Sequence, residues 1–301
     1  MSDLGALCDL HTHSTVSDGT FSPAELARAA YAAGLKACAL TDHDNTDGLD
    51  EFLSECAKLG IESIAGVELS AQSDDDLQGE IHIVGLFIDY RDEYFNSELS
   101  KLRNVRTRRN YAMLEKCREN GFEISEAELL AQKADGDMDG VGRPHFAAVF
   151  VSKGYAKDIN EAFDLYLGKG KPCYCDRELF SPERCIELIL KAGGVPVLAH
   201  PRSVSKGAFA GDWKTGIPKA AKRLKMAGLI GMECMHSDNT PEIEKFSFRV
   251  CAEEGLLPSG GTDFHGANKE GNSIGIGHGE MAVPYEFVIN LKKARSINSE
   301  Q

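Results

Sequence analysis

Short apolar runs that end in a metal-binding type of side chain recur along this chain. His11 and His13 follow one such run near the start, His43 follows the next, and His200 and Asp263 follow two runs in the last third. In a parallel α/β barrel the active site lies at the face where the carboxyl ends of the strands meet. Imidazole and carboxylate groups together suit zinc, manganese and iron. The pattern therefore predicts a catalytic site that holds several metal ions at that face.

Strand and helix signals alternate along most of the chain. Ser22 and Pro23 start a helix, Glu25 completes a capping box, and Gly34 ends it. No glycine-rich phosphate loop follows a strand signal. The number of predicted strands, which are separated mainly by helices, favours an α/β fold with a closed or nearly closed parallel barrel over an open doubly wound sheet. The seven predicted strands are residues 6–10, 36–41, 62–69, 80–88, 195–199, 229–235 and 256–262.

His82 departs from the pattern because it lies early in its apolar run. A ligand at the start of a parallel strand would lie at the wrong end of the barrel. Its position predicts that the strand at residues 80–88 runs antiparallel to its neighbours or is offset.

The central segment contains helix signals without strands. Residues 97–119 carry apolar side chains at helical spacing, and Ser125 and Glu128 form another capping-box pair. Residues 144–152 and 159–167 are also predicted to be helical. A run of helices inside an α/β chain suggests an inserted subdomain. We expect a helical unit at 98–178 that caps the substrate, and a discontinuous barrel of 1–97 and 179–301.

Composition restricts the partners of this chain. Its 33 basic and 47 acidic residues give a net charge of −14, which disfavours a groove for long duplex nucleic acid but allows a small phosphorylated ligand at a metal site. Neither a signal peptide nor a run long enough to span a membrane is evident. Nine scattered cysteines without a secretory signal predict reduced thiols and a cytoplasmic protein. The sequence does not indicate an oligomeric state.

An ordered set of motifs resembles the polymerase and histidinol phosphatase (PHP) family. H-x-H alone is a weak signal, but the full set in this order is specific and runs from residue 8 to about 267. The resemblance implies a distorted, TIM-like seven-stranded barrel and a centre of three metal ions. The motifs are Asp9-Leu-His-Thr-His13, Ser17-Asp-Gly-Thr20, Thr41-Asp-His-Asp44, Gly66-Val-Glu-Leu69, Ile81-His-Ile-Val-Gly85, Ala199-His-Pro201 and Thr262-Asp-Phe-His265.

Carried over motif by motif, the resemblance implies nine ligands for three divalent ions, with manganese expected and iron or zinc also suited. Open coordination positions remain for water and phosphate. Glu68, Asp263 and His200 are assigned to catalysis as well as to metal binding, and Glu68 is expected to bridge two ions. The first ion is assigned to His11, His13, Glu68 and Asp263, the second to Glu68, His82 and His200, and the third to Asp18, His43 and His265.

Within the family, two motifs of the insertion resemble the stand-alone phosphoesterases that act on nucleoside 3′,5′-bisphosphates and on 5′ ends of short RNA. They are Gly142-Arg-Pro-His-Phe146 and Tyr166-Leu-Gly-Lys-Gly-Lys-Pro-Cys-Tyr174. In this context Arg143 and Lys171 are expected to bind a substrate phosphate. Arg202 and His236 are further candidates for substrate contact, although Arg202 follows Pro201 directly where the related enzymes tend to have a glycine between them.

The expected reaction is hydrolysis of a phosphomonoester, most readily the 3′-phosphate of a nucleoside 3′,5′-bisphosphate, and possible substrates include short RNA from the 5′ end. One alternative is a phosphatase for histidinol phosphate, against which the insertion and its Arg and Lys motifs argue by resemblance. Another is a non-catalytic binding module that is stabilised by metal. Such a module should have lost ligands, whereas this chain keeps all nine.

Overall fold

The computed structural model describes residue 5 and residues 7–132, 138–205 and 212–298. Seven strands in these ranges form one sheet in chain order. Their positions agree with the seven predicted runs, although Ala6, at the start of the first run, lies outside the described residues. The strands are β1 (Cys8–Asp9), β2 (Ala37–Leu40), β3 (Glu62–Ala71), β4 (Ile81–Leu86), β5 (Val195–Leu198), β6 (Gly231–His236) and β7 (Leu257–Gly261).

The sheet is parallel except at β4, which runs antiparallel to both β3 and β5. This reversal confirms the prediction made from His82. It brings a residue near the start of β4 to the end of the barrel where the parallel strands finish: His82 pairs with Ser70, close to the end of β3.

The first and last strands approach each other and nearly close the barrel. The Leu10 N–H donates to the Gly260 carbonyl over 3.2 Å, and Thr12 and Phe264 form a parallel bridge just beyond the strands. The backbones are so close that a Cβ on Gly261 would lie 2.4 Å from the Cβ of His11. A nearly closed barrel of the predicted class is therefore confirmed.

Helices cover the outside of the barrel and build the central segment. The predicted Ser22–Glu25 and Ser125–Glu128 capping boxes are both present, at the starts of α1 and α4. The helices in the described ranges are α1 (Pro23–Ala32), α2 (Leu49–Leu59), α3 (Glu93–Glu119), α4 (Glu126–Leu130), α5 (Arg143–Ser152), α6 (Ile159–Ala162), α7 (Pro182–Lys191), α8 (Trp213–Met226), α9 (Pro241–Glu253) and α10 (Glu286–Asn298).

The long helix α3 contributes to two separate hydrophobic cores. Phe95 and Leu99 pack in the main core around the barrel, whereas Met113 and Leu114 belong to a second core made by residues 113–173. The predicted boundary at residue 98 therefore falls inside a continuous helix. The division into a barrel and a capping unit at 98–178 stays a prediction.

Two further observations concern the cysteines and the length of the helices. All nine cysteines are free thiols, and eight of them are buried. Among the described residues, no helix combines the length and the apolar character needed to cross a membrane.

Candidate metal centre

The nine predicted ligands converge at one end of the barrel. The elements that carry them explain the convergence, because each ligand lies at or just beyond the strand end on this face, or in the loop after β1. His11, His13 and Asp18 follow β1, His43 follows β2, Glu68 is on β3, His82 is on β4, His200 follows β5, and Asp263 and His265 follow β7.

Glu68 lies at the middle of this group. Its Oε1 atom is 2.8 Å from His82 Nδ1 and 2.9 Å from His200 Nε2. Its Oε2 atom is 3.3 Å from the Nε2 atoms of both His11 and His13 and 3.0 Å from His43 Nδ1. The carboxylate is 1% exposed. Five imidazoles around one buried carboxylate fit a group that bridges cations.

Three subsets of ligand atoms are close enough to hold an ion each. Within each subset, one atom from every residue lies within 4.8 Å of the others. The subsets share His13 and His43, so the three positions adjoin one another. They are His11, His13 and Asp263, then His43, Glu68 and His82, and finally His13, Asp18, His43 and His265.

The side chains fit a metal better than they fit one another. Nε2 of His11 and Nε2 of His13 lie 3.1 Å apart, where one ring must donate its proton to the other unless a cation binds both nitrogen atoms. Asp18 Oδ1, His43 Nδ1 and Glu68 Oε2 are buried and make no hydrogen bond of good geometry, although the last two atoms lie 3.0 Å apart. Buried polar atoms normally have one. Imidazole and carboxylate atoms left in this state suit divalent cations.

Opposite charges shift the pKa values of these groups in opposite directions. Burial raises the pKa of the Glu68 carboxyl, but the imidazoles of His11, His82 and His43 outweigh burial and hold its pKa well below the usual range. Burial lowers the pKa of His265, and Asp18 and Asp263 more than reverse this and raise it to about 9. In the absence of cations His11, His200 and His265 therefore favour the protonated form, and a bound metal would displace these protons.

Glu233 supports the cluster from β6 and is not among the predicted residues. It accepts hydrogen bonds from His11 Nδ1 over 2.8 Å and from the His200 N–H over 2.6 Å. A carboxylate behind a ligating imidazole fixes the ring and its tautomer. The only signal in the sequence is an acidic residue in the apolar run Gly231-Met-Glu-Cys-Met-His236.

Other supporting contacts come from Lys269 and Asp42. Lys269 Nζ donates to Asp263 Oδ2 over 3.0 Å. Asp42 accepts hydrogen bonds from Ser14 Oγ and Ser17 Oγ, each over 2.6 Å. The Ser17 hydroxyl lies 3.4 Å from His13 Nδ1. Among the described residues, Asp42 thus reaches an imidazole through Ser17.

The backbone is strained at three places around the centre. Asp44, His200 and Asp263 have positive φ angles of 52°, 27° and 51°. Residues other than glycine rarely adopt this region, and such strain clusters at functional sites. The strained positions follow β2, β5 and β7, where the chain turns ligand side chains towards the centre.

Among the predicted substrate residues, Arg143 is the first residue of α5. Its guanidinium pairs with Glu80 and lies 5.6 and 5.9 Å from the ring centres of Phe163 and Tyr174. Lys171 is exposed, and its backbone N–H donates to the Gly168 carbonyl over 3.0 Å.

The other two candidates differ in their distance from the ligands. His236 is buried, and its Nε2 lies 3.6 Å from Asp263 Oδ2. Arg202 donates from Nη1 to the Asp238 carbonyl over 2.8 Å, so it is held against the loop after β6. His236 thus borders the candidate metal centre, whereas contact of Arg202 with a substrate stays a prediction.

Comparisons with known proteins match most of the chain. The family model of the PHP domain matches residues 9–169. A 5′-3′ exoribonuclease of Haemophilus influenzae is 35% identical over 258 residues, which cover 85% of this chain and 89% of that protein. A 3′,5′-nucleoside bisphosphate phosphatase of Chromobacterium violaceum is 34% identical over 274 residues, which cover 89% of this chain and 90% of that protein.

The fold is also found in solved structures. A candidate metal-dependent phosphoesterase from Bifidobacterium adolescentis superposes with a TM-score of 0.81 and 28% sequence identity, over 96% of both chains. The sequence and structure comparisons agree on a metal-dependent hydrolase of phosphoester bonds.

Proposed function

The chain belongs to the PHP domain family, and from this premise we propose that it is a phosphatase that removes one phosphate from a small molecule carrying two. The observation that carries the proposal is the convergence of nine ligand-type side chains around Glu68. Such a site is complete for catalysis, which a non-catalytic binding module does not need.

We propose that the centre holds three divalent ions, manganese first among them, on the nine predicted ligands. The three adjoining subsets of ligand atoms support this number. When bound, such ions supply an activated water and neutralise the charge of the phosphoryl group. Glu68, His200 and Asp263, the predicted catalytic residues, would help to hold these ions, and the two oxygen atoms of Glu68 face different imidazoles of the set.

The protein contributes rigidity and proton control around this centre. Glu233 fixes His11 with Nδ1 protonated, which leaves Nε2 free to bind a cation. We propose that His236, whose Nε2 lies 3.6 Å from Asp263 Oδ2, donates a hydrogen bond to a phosphate oxygen. Arg143 and Lys171 provide positive charge for the second phosphate, and we propose that the unit at 98–178 covers the substrate with these residues.

The substrate class rests on the relatives. The bisphosphate phosphatase and the exoribonuclease are similar to this chain over nearly its full length. We therefore propose nucleoside 3′,5′-bisphosphates as the first substrates, with attack at the 3′-phosphate, and short RNA with a 5′-phosphate as the second candidate. The net charge of −14 argues against long duplexes. The free cysteines support a cytoplasmic location.

Phosphate release with manganese should be compared for three substrates: adenosine 3′,5′-bisphosphate, histidinol phosphate and a short 5′-phosphorylated RNA. Metal content is measured on the same sample. The proposal expects the highest kcat/KM for the bisphosphate and about three bound ions. Preference for histidinol phosphate would overturn the substrate, and no turnover by fully metal-loaded protein would favour a binding module.

A further inference from the structure

His236, at the end of β6, carries a proton donor that lies at the edge of the candidate metal centre. The Asp238 N–H donates to His236 Nδ1 over 3.1 Å, so Nδ1 is an acceptor and the proton of the ring is on Nε2. The ring centre is 5.7 Å from that of His200. His236 Nε2 is buried and makes no hydrogen bond to any described residue. Because buried donors normally have a partner, this one fits a ligand that binds at the centre.

Asp263 offers an acceptor close to this donor, but the two atoms do not form a hydrogen bond. His236 Nε2 lies 3.6 Å from Asp263 Oδ2, which is too long. The other oxygen of the carboxylate, Oδ1, lies 3.2 Å from His13 Nε2 and 3.5 Å from His265 Nδ1. Asp263 thus turns Oδ1 towards predicted metal ligands and Oδ2 towards His236.

Lys269 holds the oxygen that His236 does not reach. Its Nζ donates to Asp263 Oδ2 over 3.0 Å, to Asp238 Oδ2 over 3.1 Å and to Ser237 Oγ over 3.2 Å. An ammonium group has three protons, so these contacts use all of them within the protein. Lys269 is therefore a fixed charge between the loop after β6 and Asp263, and its protons are not available to a substrate phosphate.

We infer that Lys269 is a positioning residue that keeps Asp263 Oδ2 from binding His236 Nε2 and so leaves this donor for a phosphate oxygen. The inference rests on the proposed function and deepens it, since His236 is the phosphate donor in that proposal. Without the ammonium group, Oδ2 would lose its charge-assisted hydrogen bond inside the protein. The His236 imidazole would then close the gap of 3.6 Å and donate to Oδ2 instead.

The first test measures binding of inorganic phosphate to the manganese-loaded full chain by calorimetry, with metal content measured on each sample. Lys269→Met keeps the apolar stem and removes the three donors. His236→Asn removes the Nε2 donor, while the asparagine oxygen can accept the Asp238 N–H as Nδ1 does. We expect each variant to lose about 10-fold or more in phosphate affinity, as for one hydrogen bond to a charged group.

The double variant distinguishes positioning from direct action. If Lys269 acts through His236, the double variant binds phosphate within about twofold of His236→Asn alone. Multiplied losses would show that Lys269 acts on phosphate by its own charge and would overturn the inference. Wild-type affinity in Lys269→Met would overturn it too, as would a loss of metal that accounts for the weaker binding.

Lys292→Met is the matched control, because Lys292 pairs with Glu62 over 2.6 Å at the far end of the barrel. This variant should bind phosphate as the wild type does.

The second test repeats the comparison with kcat/KM for adenosine 3′,5′-bisphosphate. The loss in Lys269→Met should disappear in the His236→Asn background. If the bisphosphate is not hydrolysed while phosphate binding shows the coupling, the proposed function fails and the positioning role stands. If the bisphosphate is hydrolysed and the losses multiply in both tests, the positioning role fails and the proposed function stands.

Discussion

At the scale of single residues, both oxygen atoms of Glu68 lie within 3.3 Å of imidazoles that are predicted ligands. Replacement by glutamine keeps its size but removes the charge that faces five imidazoles. We expect Glu68→Gln to lower hydrolysis by at least about 100-fold and to lower bound metal, because changes even behind a ligand cost about 10- to 100-fold. Metal analysis and phosphate release on one sample measure both effects.

Glu62→Gln is a matched control for Glu68→Gln. Glu62 begins the same strand and accepts a hydrogen bond from the Tyr285 hydroxyl over 2.7 Å, at the far end of the barrel from the ligands. The Glu62→Gln variant should retain bound metal and activity. Wild-type activity in Glu68→Gln would refute the bridging role.

The motifs that resemble the PHP family were enough to predict the nine residues that converge, but not the groups behind them. His11, His43 and His200 each follow an apolar run, which the sequence displays directly. Glu233 contacts His11, which is 222 positions away in the sequence, over 2.8 Å. Lys269 contacts Asp263, which is 6 positions away, over 3.0 Å. Apart from the apolar run around Glu233, nothing local distinguishes them from other charged residues, since the barrel closure that brings Glu233 to His11 is a tertiary event.

At the scale of elements, helices with capping residues were predictable and others were not. Ser22 and Ser125 accept the backbone hydrogen bonds expected of N-caps. Helices α8 and α10 are missing from the sequence-based prediction. α8 contains Pro218, and Asp212 before it makes no side-chain capping bond, so its signals are those of a loop. Burial of Ile217 and Leu224 holds it in place.

The close contact of β7 with the end of β1 leads to a prediction at this scale. In Gly261→Ala the new Cβ would lie 2.4 Å from His11 Cβ and 2.5 Å from His11 N, which forces the strands apart. We expect a loss of about 1–3 kcal/mol in the free energy of unfolding, with reduced metal content because His11 moves. Chemical denaturation and metal analysis test this, and unchanged values for both would show that the closure yields without cost.

At the scale of the whole molecule, four arginines that lie near one another, Arg106, Arg109, Arg143 and Arg177, show why sequence alone is not sufficient. Arg143 was predicted from its motif, whereas Arg106, Arg109 and Arg177 carry no local signal. They meet because α3 crosses from the main core to the second core and passes Asp44 on the way. The net charge of −14 conceals this local excess of positive charge.

Stability and metal binding should also be linked through pH across the whole molecule. Burial lowers the pKa of His265, but Asp18 and Asp263 outweigh burial and raise it from 6.5 to about 9. The pKa values of His11 and His200 are also raised. In the chelated protein, the raised pKa values increase the free energy of unfolding, fully so below pH 6.5. This contribution is lost as pH rises towards 9. The lowered pKa values of Glu68 and Asp18 act oppositely, so their contribution is lost in acid.

Metal stabilises the folded protein more strongly at alkaline pH, because it binds neutral imidazole and releases these protons. We therefore expect the Tm of the chelated protein to fall between pH 6.5 and 9 and the Tm increase caused by manganese to grow over the same interval. Thermal unfolding of chelated and manganese-loaded protein at several pH values measures both, with calcium as a control that prefers oxygen ligands. Since ion binding stabilises only the folded chain, a Tm increase that stays constant from pH 6.5 to 9 would mean that these histidines do not exchange protons for metal.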